Sequence, residues 1–193
     1  MLKSQISYFF VVFVLLFGYI LTNRPRLILN STQTLVDNFI PLIPAFSVPY
    51  ILYMPVLFGT LFFAIFNFGA REKLFLHRFI LAQVIALLFF VLYPTTMLRV
   101  NIIGNDLFDN LVKYIYSVDQ PFNLFPSTHV LHTTILTQYW IKTTKNNLIK
   151  LIPAIVGGLI CISTVLVKQH YAVDILGGLV IFGFVTFVIK NKE

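Results

Sequence analysis

Two short stretches of this chain carry the residue types that could do chemistry. The first, Ser163 to Gly178, reads STVLVKQHYAVDILGG; the second, Phe125 to His129, reads FPSTH. Each sets ionisable or hydroxyl side chains at the mouth of an otherwise apolar run, where burial without partners is costly. His170 and Asp174 are four apart, so a helix from Tyr171 onward would put them on one face, with the carboxylate accepting the imidazole proton. That pairing fixes the ring tautomer and leaves the other nitrogen as nucleophile or base. Lys168 adds a positive charge two residues earlier. Pro126 and Ser127 read as a helix start, with Ser127 the N-cap and His129 in the first turn. A helix N-terminus attracts phosphate through its free N–H groups. A histidine backed by an acid, a second histidine at an anion-binding helix start, and nearby cations point together to phosphoryl transfer.

The elements that position these residues are apolar helices. Of 193 residues, 58% are hydrophobic and only 11% charged, 21 are phenylalanine, and the mean hydropathy is +0.87. A soluble domain of this size cannot hide that much apolar surface, so the chain reads as one polytopic membrane domain over residues 1–193, all-α. The single cysteine, Cys161, lies inside an apolar run and forms no internal disulfide. The net charge of +7 is assigned to orientation in a bilayer and not to nucleic acid.

Six transmembrane helices are predicted: about Ile6 to Leu21, Val48 to Asn67, Phe79 to Tyr93, Ser127 onward, Leu151 to Val167, and Ala172 to Ile189. The first lacks a small-residue cleavage site and is read as a retained span. Residues 24–47 form an irregular connection, and Arg71, Glu72, Lys73 and Arg78 a charged turn. In the segment 101–124, Leu107, Phe108, Leu111, Val112, Ile115 and Tyr116 recur at helical spacing, which predicts an interfacial amphipathic helix roofing the site. The fourth span is the least apolar, because His129, His132, Thr133, Thr134, Thr137 and Gln138 interrupt it; such a helix belongs in a bundle interior. Nine of the 14 basic residues, Lys192 among them, fall on the side of the termini. The positive-inside rule therefore places the termini in the cytoplasm and the candidate site at the outer side, with a plasma membrane as the expected location.

At these residues the chain resembles the type 2 phosphatidic acid phosphatase superfamily. The Pro-Ser-x-His motif is complete as Pro126-Ser127-Thr128-His129, and the third motif keeps Ser163, His170 and Asp174 at family spacing. The family arginine after that serine is Thr164 here. The first motif keeps Arg99 but has Leu92 in place of its lysine and Val100 in place of its proline. Lys168, one turn after Thr164 on a continuing helix, would supply the missing charge. Tyr93-Pro94-Thr95-Thr96 before Arg99, and Lys168-Gln169-His170-Tyr171 before Asp174, are similar to the branch that contains the inositol phosphoceramide synthases.

The resemblance implies a metal-independent lipid phosphatase or phosphotransferase with no cofactor. His170 would attack phosphorus to give a phosphohistidine, Asp174 would hold its ring, and His129 would protonate the leaving oxygen. Arg99, Lys168, Ser127 and Ser163 would bind the substrate, with Ser163 orienting a helix or histidine. The expected partners are membrane lipids and a lipid phosphate or isoprenyl pyrophosphate; head-group transfer is the alternative reaction. The lipid, the acceptor and the oligomeric state stay open. Zinc ligation by His129, His132, His170 and Asp174 suits those ligands but sets Arg99 and Lys168 beside a cation. A lipid transporter would spread polar residues through the bilayer depth, whereas these cluster at one end. Neither GxSxG nor HExxH occurs.

Overall fold

The least apolar of the expected spans is the one the fold encloses. In the computed structural model, which describes residues 2–190, this is helix α5, Thr128–Thr143. Met1 and residues 191–193, with Lys192 of the charge count, lie outside the described residues. Around α5 pack α2 (Ser47–Phe66), α3 (Ala70–Leu92), α6 (Asn147–Leu166) and α7 (Ala172–Val188). Helix α1 (Leu2–Thr22) lies outside them against α3 and α2, and α4 (Leu107–Val118) rests on α2. No strand occurs among the described residues.

Enclosure explains how α5 carries its polar residues. Thr128, His129, His132 and Thr133 are all buried, Trp140 donates to the Thr60 hydroxyl at 2.9 Å, and Gln138 accepts from buried Arg78 at 2.6 Å. A small residue allows the closest approach: a Cβ on Gly157 of α6 would lie 2.2 Å from the Thr137 hydroxyl. The core below the site is aliphatic and aromatic, with Phe79, Phe90, Leu131, Leu136 and Ile160 almost wholly buried. Helix α1 is the reverse case. Of its large apolar residues from position 3 onward only Val12 is buried, while Phe9, Phe10, Phe13 and Phe17 face outward, as lipid-facing side chains do.

Four segments, Lys3–Thr22, Pro44–Phe66, Ala70–Leu92 and Asn147–Leu166, are helices long and apolar enough to cross a membrane. This is the build of an integral membrane protein. Helices α5 and α7, with 16 and 17 residues, reach only about 24 and 25 Å, against about 30 Å of hydrocarbon. The expected charged turn is corrected: Arg71, Glu72, Lys73 and Arg78 lie inside α3, whose Glu72 carboxylate accepts the Gly69 N–H at 3.1 Å. The amphipathic helix forms where expected, capped by Asp106 on the Asp109 N–H at 2.8 Å, and buries Val112 and Ile115.

The two ends of the bundle are tied differently. At one end Tyr139 donates to Glu72, and Arg78 caps α7 through the Ile189 carbonyl at 2.8 and 3.0 Å. At the other end the connections knit together: Asn30 N–H to the Pro94 carbonyl at 2.9 Å, Ile43 N–H to the Leu166 carbonyl at 2.8 Å, and the Thr95 hydroxyl accepting Leu124 and Phe125 N–H. Both chemistry-bearing motifs lie at this second end.

Candidate active site

The two motifs are joined backbone to backbone, since the Ser127 N–H donates to the Asp174 carbonyl at 3.0 Å. Glycines permit this approach. A Cβ on Gly178 would stand 2.8 Å from the Ser127 carbonyl oxygen, and one on Gly177 would stand 2.5 Å from the Phe125 ring. Ser127 caps α5 as expected, its hydroxyl accepting the Val130 N–H at 3.4 Å, with His129 in the first turn.

His170 reaches its place by a route the sequence reading did not foresee. Helix α6 ends at Leu166, and the turn to α7 holds Lys168 at φ 54°, the left-handed region that side chains seldom adopt. The Thr164 carbonyl accepts both Gln169 and His170 N–H, at 2.9 and 3.0 Å. His170 thus precedes the α7 N-cap, Tyr171, and shares no helical face with Asp174. The pair still meets: His170 Nδ1 lies 3.4 Å from Asp174 Oδ2, though not aligned for a hydrogen bond. Asp174 is fully buried, accepting the Tyr171 N–H at 2.8 Å on Oδ2 and the Thr32 hydroxyl at 2.6 Å on Oδ1.

The His129 and His170 rings stand edge to face, centroids 5.6 Å apart, and both side chains are buried. His129 stacks on Tyr50 and meets Tyr53 at a tilt, ring centroids 4.6 and 4.2 Å away, and its Nδ1 has no partner. His132 is held differently, its Nδ1 at 2.8 Å from the Tyr53 hydroxyl and its ring on Phe79. Among the described residues no group of three histidine, cysteine, aspartate or glutamate side chains is placed to hold a metal.

The expected phosphate-binding residues divide into two kinds. Arg99 lies over the Tyr116 ring, 4.3 Å from its centroid, and donates Nη2 to the Asp119 carbonyl; its Nε and Nη1 are buried without partners. Burial pulls the Arg99 pKa below the usual guanidinium value, opposed by Tyr116 and then Asp119. Lys168 is not on the Thr164 face of a continuing helix. Its ammonium donates to the Asp37 carbonyl at 3.2 Å and to the Ile40 carbonyl. Ser163 is fully buried and turns its hydroxyl onto the Ile160 carbonyl at 2.6 Å, and Thr164 does likewise onto Cys161.

Four residues near the site were not singled out from the sequence. Thr32 bonds Asp174, Asp37 accepts the first α7 N–H, Ala172, at 2.8 Å, and Asp119 takes the Tyr50 hydroxyl at 2.6 Å. Tyr53 bridges the two α5 histidines. Tyr50 and Tyr53 are buried, each with its hydroxyl in a polar contact.

Fold and site together define a helical membrane protein with a histidine pair at one end of its bundle. A family model described as the PAP2 superfamily matches residues 26–188, and the chain belongs to that superfamily. The match supports phosphatase or phosphoryl-transfer activity. Comparison with curated proteins found no match, and neither did comparison with solved structures.

Proposed function

We propose that the protein is a membrane phosphoryl-transfer enzyme that hydrolyses a lipid phosphate or isoprenyl pyrophosphate through a phosphohistidine at His170. The observation that carries this reading is the buried pair itself: two imidazoles 5.6 Å apart, one with a fully buried carboxylate 3.4 Å from its Nδ1. With Asp174 at Nδ1, Nε2 of His170 is the attacking atom. As the new N–P bond forms, the P–O bond to the leaving group breaks, an ester bond in a lipid phosphate and an anhydride bond in a pyrophosphate, and His129 gives its proton to the leaving oxygen. Water then attacks phosphorus, His129 takes the water proton, and the N–P bond breaks to release phosphate.

Charge on the phosphoryl oxygens is met by the unpartnered Nε and Nη1 of Arg99, by the third N–H of the Lys168 ammonium, and by the Ser127 end of α5. Ser163 acts from behind, closing the last turn of α6. In this reading no metal takes part, α5 and α7 cross the membrane along with the four longer helices, and the site faces outward with the termini inside. Head-group transfer to an acceptor alcohol, as in the inositol phosphoceramide synthase-like branch, is the second reading. Thr164 in place of the family arginine and a large cavity against His129 favour it.

Phosphate release from a panel of lipid phosphates, with chelator present, tests the proposal. Wild-type protein should turn over at least one lipid, and His170→Ala should lose more than a thousandfold in kcat. Equal turnover by folded His170→Ala, or loss of activity to the chelator, would overturn it.

A further inference from the structure

Between α1 and α2, beside α3 and the end of α4, lies a cavity of about 460 Å³ that reaches His129 but is not lined by His170, Asp174 or Arg99. Four of its lining residues turn a buried polar atom with no partner: Asn23 Oδ1, Gln83 Oε1, His129 Nδ1 and His132 Nε2. Gln83 is wholly buried and His132 is 2% exposed. Gln83 spends its amide N–H on the Leu15 carbonyl of α1 at 3.4 Å, so its oxygen is the group left over. Asp119, Gln120 and Thr128 add further polar groups to the lining; the remainder is aliphatic and aromatic, and Ile20, Met54 and Phe58 carry it to the outside of the bundle. A second apolar cavity of about 270 Å³, sharing Leu16 and Phe58, continues along the same cleft.

Asn23 Oδ1 and Gln83 Oε1 are acceptors left without donors, and the two imidazole nitrogens can take either role; buried and unpaired, such groups mark a place for a ligand that both donates and accepts. The acceptor oxygens of Gln83, Asn23 and Asp119 suit a hydroxyl and disfavour a phosphate. The cleft between α1 and α2 suits a hydrocarbon chain. We infer that this cavity holds the lipid alcohol of the reaction, its hydroxyl oxygen at His129 and its chain leaving sideways between α1 and α2. In hydrolysis of a lipid phosphate monoester this alcohol is the leaving group, protonated by His129 as the P–O bond breaks. In head-group transfer the same site holds the acceptor, which loses its proton to His129 as the O–P bond forms and the N–P bond breaks. The chemical role rests on the phosphoryl-transfer reading; the occupancy is testable without it.

The test is photolabelling of the full chain in lipid nanodiscs with a long-chain primary alcohol carrying a mid-chain diazirine, beside the matching alkane. His170→Ala is used so that no turnover intervenes, with helicity and elution checked for each variant. The alcohol should label Leu16, Met54 or Phe58 and be competed by unlabelled alcohol, whereas the alkane should label about fivefold less. Gln83→Leu should cut alcohol labelling about fivefold, and Met54→Trp, at a lipid-exposed position, should block it. Equal labelling by alcohol and alkane, or wild-type labelling in folded Gln83→Leu or Met54→Trp, would overturn the inference and leave a lipid-facing groove. Normal turnover by His170→Ala would instead sink the phosphoryl-transfer reading, with the labelling result standing separately.

Discussion

Asp174 is the residue on which the most local structure converges. One oxygen caps its own helix and faces His170; the other takes the Thr32 hydroxyl. Asp174→Asn keeps the shape and removes the charge that would stabilise the ring, so kcat should fall about a hundredfold while KM for the lipid stays within a factor of two. Thr32→Val leaves one buried carboxylate oxygen without its donor, which costs about 1.5–3 kcal/mol. The expected outcome is a thermal midpoint several degrees lower together with a reduced kcat; an unchanged kcat and midpoint would show that Thr32 does not hold Asp174. Lys168 makes a separate case. Because its ammonium binds loop carbonyls, Lys168→Met should loosen residues 34–43 as well as raise KM, seen as faster proteolysis in that connection.

Among the elements, the decisive contact is the crossing of α5 and α7 at their N-termini, where Gly178 sits under the Ser127 carbonyl. Gly178→Val should destabilise the protein by about 2 kcal/mol and abolish activity, because the Ser127 end and Asp174 are pushed apart. Gly183→Val, where a Cβ meets nothing within 4 Å, should leave both unchanged; melting curves and turnover of the two variants decide the matter. The helices themselves were legible because apolar runs are long and punctuated by Asn67, Pro94 and Lys145. So was the Ser127 cap, which is a local signal. The His170–Asp174 pairing was legible as a spacing but not as a geometry, because α6 stops short of His170 in a left-handed turn whose Lys168 ammonium is tied to carbonyls of residues 37 and 40, over 120 positions away. Thr32 and Asp119 were invisible for the same reason. A threonine in a loop and an aspartate at a helix end look ordinary until distant elements meet them.

For the whole molecule, the arrangement separates two ends: a basic end holding Arg71, Arg78 and Lys142, and a site end holding His129, His170 and Asp174. The proposed orientation makes the basic end cytoplasmic. With Cys161 replaced by serine, Lys145→Cys should resist a membrane-impermeant maleimide added outside intact cells, and Asn105→Cys should react; both positions are exposed. The opposite pattern would invert the topology without touching the site. An enclosed polar α5 inside an apolar shell is what lets a chain this hydrophobic carry His129 and His132 buried beside His170.

The central claim is that His170 takes the phosphoryl group. Rapid quench of the enzyme with a radiolabelled lipid phosphate should trap label that is stable to base, labile to acid, and confined to the peptide holding His170. The same label should be absent from His170→Ala, and in His129→Gln, which lacks both the acid of the first step and the base of the second, it should form and decay more slowly than in the wild type. No trapped label under single turnover in an active enzyme, or label on any other residue, would contradict the account.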